Sequence, residues 1–390
     1  MSTAIETSFV GESAPGETEF AACPRCGSAE GGVVVEGKDY LCGIDGRFFG
    51  WQCAECSLQY QNPRPTADRL AKLYPAFYGP HSGSAAANGA IPQTLRWRDR
   101  DLRNNFLNKI RLWLNFGLAK LRSLHHRTGI GFFRPTEAEV REFLRQQMGY
   151  AHLDSEKVSS GIKLSRGAIR ECRRVAGIDL VPHFVADGRL LEIGCATGAR
   201  LQSYREQGWI HLEGIELAEQ AAVQARRRGF PVICEQVETA LDRLPDQSFD
   251  VIVSSMVLEH LYDPFAVMRN IARKLKPGGQ FLFSTITRDG LDARWFGKYW
   301  GGYDFPRHMV YLRTGDIQEM VSGDFDQVEF FYQNAPIDFL RPATWREAEK
   351  KLGDRLIAWL AKAQVGSLIG EVLARKGQTS RVSFRCRKKV

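Results

Sequence analysis

The chain has 390 residues, 44% hydrophobic and 25% charged, with a formal net charge of +8. At ~100–200 residues per domain that is room for two or three ordinary globular domains, and it excludes a disordered or fibrous chain. No apolar run reaches the ~20 residues that span a bilayer. The polar, acidic stretch from Met1 to Phe20 (Glu6, Glu12, Glu17, Glu19) lacks the apolar centre of a secretory signal, so a cytoplasmic protein is expected.

The charge is unevenly placed. Residues 95–150 carry a net +7 and residues 341–390 a net +9, which leaves the rest of the chain at −8. An anionic partner would therefore meet those two segments and not the body of the protein. The nine cysteines are an odd number in a long chain without an export signal, which favours a metal site or buried thiols over a disulfide framework.

In chain order, residues 1–20 read as a flexible leader and residues 21–78 as a small cysteine-bearing unit with β pieces near 32–36 and 47–51. The small, polar stretch from Gly79 to Pro92 marks a linker over 79–94. Residues 95–180 read as a basic helical region. Within it Leu102, Phe106, Ile110, Trp113, Leu114, Leu118 and Leu121 recur at helical spacing. From residue 181 to the end, short apolar runs alternate with helical stretches. Strands are predicted near 189–193, 211–216, 231–235, 249–255, 279–285, 327–332 and 380–386. Helices are predicted near 198–208, 218–229, 264–275 and 314–322, with a helical insertion at 343–374. Such alternation predicts an α/β fold, a parallel sheet with helices on both faces.

Two Cys-x₂-Cys pairs, Cys23/Cys26 and Cys53/Cys56, offer four thiolates in the arrangement that suits tetrahedral zinc. With all positions filled by sulfur, such a site is structural. Cys42 is spare.

The clearest chemistry lies at Glu192-Ile193-Gly194-Cys195-Ala196-Thr197-Gly198. An apolar strand enters a small-residue turn that opens a helix, where backbone N–H groups can approach a ligand. Glu216 ends the next strand, where a carboxylate would grip a ribose diol. Ser248-Phe249-Asp250-Val251 leads into Leu258-Glu259-His260-Leu261, and Lys276-Pro277-Gly278-Gly279 precedes another apolar strand. Together these motifs resemble the class I S-adenosylmethionine-dependent methyltransferases over about 180–335. Ala196 stands where that family often has glycine, and Gln236 where it often has an acid.

The resemblance implies a seven-stranded Rossmann-like sheet and S-adenosylmethionine as cofactor. Glu192 would lie near its amino group, with Gly194, Cys195, Ala196 and Gly198 around the methionine part. Glu216 would hold the ribose, with Leu217, Gln236 and Ser255 completing the cofactor set. Tyr303-Asp304-Phe305-Pro306-Arg307-His308 is similar to a Asp-x-Pro-Arg-His segment that covers the acceptor side in a subgroup of these enzymes. His260, His308 and Arg307 are thus the candidate catalytic residues, histidine being suited to proton removal near neutral pH. Structural roles for all three are the competing reading. The cysteine pairs followed by Asn62-Pro63-Arg64-Pro65 resemble the N-terminal zinc ribbon of this subgroup.

The expected function is methyl transfer to a small or medium metabolite such as a sugar, lipid or secondary-metabolite precursor. An RNA methyltransferase and a non-catalytic scaffold are the alternatives, with nucleic acid disfavoured by the acidic body. The amphipathic 95–125 segment admits a peripheral membrane or lipid contact.

Overall fold

The apolar runs of the α/β domain are sealed on both sides of the sheet, which a strand achieves only between two helical layers. The computed structural model describes residues 17–74, 135–152, 164–346 and 364–390. The expected 79–94 linker, the basic 95–125 segment with its lipid contact, and most of the 343–374 insertion lie outside those residues.

In the N-terminal unit, β1 (Thr18–Glu19) pairs with β5 (Arg64–Pro65), so the end of the expected leader is part of the fold. Between them β2 (Gly31–Gly37), β3 (Phe48–Cys53) and β4 (Gln59–Gln61) form an antiparallel meander, followed by α1 (Ala67–Leu70). Next come α2 (Glu137–Gln147), closed by a capping box between Thr136 and Glu139, and α3 (Arg166–Ile178), capped by Ser165.

The α/β domain follows as β6 (Arg189–Ile193), α4 (Ala199–Glu206), β7 (His211–Glu216), α5 (Glu219–Arg227), β8 (Val232–Cys234), α6 (Val237–Arg243) and β9 (Phe249–Ser255). Then come α7 (Pro264–Lys274), β10 (Leu275–Ile286), α8 (Leu291–Phe296), β11 (Val310–Tyr311), α9 (Thr314–Ser322), β12 (Phe325–Tyr332), α10 (Ile337–Trp345), α11 (Gln364–Arg375) and β13 (Arg381–Lys388). Asp263 caps α7, with Pro264 at its first position.

Seven strands form one sheet in the order β12-β13-β10-β9-β6-β7-β8. Strands β10, β9, β6, β7 and β8 run parallel, and β13 is antiparallel to both of its neighbours. The period of two along each strand divides the core. Leu191, Ile193, Ile252, Phe281 and Phe283 pack on one face, and Leu190, Val251, Val253 and Leu282 on the other. The Lys-Pro-Gly-Gly stretch, expected before the strand, lies inside β10 as an irregularity between Leu275 and Gln280.

Strand β11 does not join this sheet. It pairs with β4 and becomes the edge strand of the N-terminal sheet, ordered β11-β4-β3-β2. A loop of the α/β domain is thereby built into the cysteine-bearing unit.

Candidate active site

The turn after β6 has the backbone its small residues allow. Gly194, Ala196 and Gly198 have φ of 72°, 46° and 76°. The carbonyl of Ile215 accepts N–H bonds from Gly194 and Cys195 at 2.8 and 3.0 Å, which ties the turn to the end of β7. A Cβ on Gly194 would come within 2.5 Å of Val257 Cγ2, and one on Gly214 within 2.5 Å of Cys195 Sγ. Cys195 is buried, and desolvation pushes its thiol well above the ordinary range, so it packs and does not attack.

Glu216 accepts the Ala196 and Ala218 N–H groups, both at 2.8 Å, and so fixes the turns after β6 and β7 together. Glu192 is buried beneath the turn. Burial pushes its pKa up to about 8; Arg200, 3.2 Å from Oε1, draws it down without cancelling the burial, and Glu216 adds to the rise. Its Oε2 is buried with no partner among the described residues. A cationic amino group beside this turn would satisfy that oxygen, so these residues fit S-adenosylmethionine. Leu217 packs against the core, and the Ser255 hydroxyl lies 3.0 Å from that of Ser284. Gln236 differs from expectation: its side-chain amide donates to the Ala67 carbonyl of the N-terminal unit.

At the ends of β9 and β10 the chain brings together Glu259, His260 and His308. The histidine rings meet edge to face with centroids 4.5 Å apart. His260 Nδ1 faces the Arg307 carbonyl at 3.0 Å and the Tyr74 hydroxyl at 2.8 Å, and His308 Nδ1 faces the Gly302 carbonyl at 2.8 Å. A carbonyl only accepts, so each Nδ1 carries the proton and each Nε2 a lone pair. Desolvation, with His308 as neighbour, lowers His260 to about 4; desolvation also lowers His308 although Asp304 opposes it. Burial thus favours the neutral form of both rings, the form a base requires.

Arg307, a candidate for the acceptor side with a structural role as its competing reading, is fully buried and bonded to Asp39 through Nη1 and Nη2, to both oxygens of Asp304 and to the Phe305 carbonyl. It braces the loop that carries His308 against the N-terminal unit. Asp39 and Glu259 were not among the sequence candidates. Glu259 stands beside His260 in the motif, but Asp39 is 268 residues from Arg307 and gives no local signal. Trp300 donates to Asp292 at 3.0 Å and is core, whereas Trp295 is exposed.

Ligand sulfurs of Cys23, Cys26, Cys53 and Cys56 lie within 4.8 Å of one another. The two knuckles are alike. Gly27 N–H donates to the Cys23 carbonyl at 2.9 Å and Ser57 N–H to that of Cys53 at 3.1 Å, with φ of 76° and 60° after each second cysteine. This all-sulfur set fits structural zinc.

The sheet order, with one antiparallel strand inserted beside β10, and the glycine turn under a carboxylate define a class I methyltransferase fold. Residues 166–323 match the family described as "Methyltransferase domain". Ubiquinone biosynthesis O-methyltransferase from Idiomarina loihiensis is 36% identical over 144 residues, covering 34% of this chain and 58% of that protein. The protein of the same name from Klebsiella pneumoniae is 31% identical over 139 residues, covering 34% and 55%. The match thus spans little more than half the length of these curated relatives. Among solved structures, a SAM-dependent methyltransferase from Archaeoglobus fulgidus aligns at 19% identity and TM-score 0.39, over 56% of this chain and 94% of that one. Phosphoethanolamine N-methyltransferase 2 from Haemonchus contortus aligns at 19% and 0.38, over 64% and 60%. Among the described residues, no helix is long and apolar enough to cross a membrane.

Proposed function

We propose that this protein transfers a methyl group from S-adenosylmethionine to a hydroxyl oxygen of a small metabolite. The observation that carries the reading is the pair of neutral histidines, each with Nδ1 anchored on a carbonyl, at the carboxyl ends of the strands beside the glycine turn. The names of the matched relatives support oxygen as the acceptor atom and a small molecule as the substrate.

The cofactor supplies an already activated methyl group on a sulfonium, so the protein's tasks are alignment and proton removal. Glu192 and the turn from Gly194 to Gly198 would hold the amino acid end, with Glu216 at the ribose. A lone pair on Nε2 of His260 or His308 takes the acceptor's proton while the Arg307 brace keeps the loop in place. The four cysteines would hold a structural zinc that fixes the unit onto which that loop is built. The test is methyl transfer from labelled S-adenosylmethionine to a panel of phenols and sugar alcohols. Transfer to a hydroxyl, lost in Glu216→Ala, is expected; transfer to none of the panel by a protein that binds the cofactor would contradict the assignment to oxygen.

A further inference from the structure

Glu259 is 1% exposed, yet only half of its carboxylate is satisfied. Oε2 accepts the Thr285 hydroxyl at 2.7 Å, and Oε1 is buried without a partner among the described residues. One carboxylate oxygen of Glu259 and one ring nitrogen each of His260 and His308 lie within 4.8 Å of one another. With Nδ1 of both rings turned to backbone carbonyls, Nε2 is the nitrogen left to accept. An Nδ1–H on a carbonyl with the other nitrogen free is how proteins orient histidine ligands. The nearby cations do not occupy the site: Arg307 is turned to Asp39 and Asp304, and Arg381 to Asp338. Asp304 Oδ2, 3.8 Å from His308 Nε2, adds negative charge.

We propose that Glu259, His260 and His308 bind a divalent cation, at a site separate from the four cysteines. Two imidazoles and one carboxylate suit manganese, iron, cobalt or zinc and leave positions open for an oxygen-bearing acceptor. This extends the methyl-transfer reading and rests on it for the role of the ion. Proton transfer to Nε2 is then the route of the metal-free chain; with the cation bound, the Nε2 lone pairs are ligands and the proton leaves by another path. The acceptor O–H, coordinated beside them, loses its proton to water more readily. The oxygen's lone pair then forms the new C–O bond as the C–S bond breaks and the thioether leaves.

The test uses the full-length, zinc-loaded chain titrated with Mn²⁺, chosen because it avoids thiolates, and follows free Mn²⁺ by electron paramagnetic resonance. The expected result is one equivalent bound, weakened at least tenfold by Glu259→Gln and by His308→Gln, each with zinc content and thermal midpoint near those of the parent. No Mn²⁺ bound, or binding undiminished in either folded variant, would overturn the proposal. Cofactor affinity, measured in parallel by calorimetry, separates the two ideas: cofactor binding without Mn²⁺ binding defeats the cation site alone, and loss of cofactor binding in the parent defeats the methyl-transfer reading.

Discussion

Arg307 and Asp39 lie 268 residues apart and form two parallel hydrogen bonds of 2.8 Å, with both side chains sealed from solvent. The pair joins the cysteine-bearing unit to the loop that presents His308. The same junction holds the β4–β11 pairing, a bond from Gln61 N–H to the Met309 carbonyl at 2.8 Å, and the Tyr74 contact with His260. The N-terminal unit therefore packs against both His260 and the loop that carries His308.

Removing one partner of this buried pair leaves a charge with nowhere to go. Asp39→Ala is expected to lower unfolding free energy by roughly 3–5 kcal/mol, the range for an orphaned buried ion. Asp304 still contacts Arg307, so the lower end is expected. Urea unfolding measures it, and a change under about 0.5 kcal/mol, the scale of an ordinary surface substitution, would show that the pair is not a brace.

Because β11 is an edge strand of the cysteine-bearing sheet, metal removal should be felt in the α/β domain. Cys53→Ser is expected to abolish zinc retention and to speed amide hydrogen exchange at Met309–Tyr311, beyond the ribbon itself. Exchange confined to residues 21–66 would contradict the coupling. Local opening of this kind is what exchange reports.

Glu192 gives a pH signature. Its folded value of about 8 lies above the ordinary 4.5, so between these values the folded state holds a proton that the unfolded state has released. Its contribution to stability is therefore full below about pH 4.5 and is lost as pH rises through 8. If the cofactor's amino group pairs with the carboxylate, binding near pH 7 expels that proton. Calorimetry in buffers of different ionisation heat should show proton release approaching one per site, absent in Glu192→Gln. Equal release in parent and variant would remove Glu192 from the cofactor site.

The seven-stranded sheet was legible because its strands are short apolar runs between glycine- and polar-rich turns, and the strands at 189–193, 211–216 and 249–255 stand where the spacing places them. The two-residue β11 was not, since Val310–Tyr311 has no periodicity to read, and its partner is far away in sequence. Helix α6 was missed because Val237–Arg243 is too short to show a repeat. At the site, glycines and histidines announce themselves through motif chemistry. The role of Arg307 depends on Asp39, which only the fold brings near, and the open half of Glu259 appears only once Thr285 is seen to hold the other.

The turn after β6 is expected to bind S-adenosylmethionine. A calorimetric titration of the full chain tests it most directly. Saturable binding at one site is expected, lost in Gly194→Ala, whose new Cβ would meet Val257 at a position with φ of 72° while the far-ultraviolet spectrum stays that of the parent. No binding by the parent chain, or unchanged affinity in the folded variant, would contradict it.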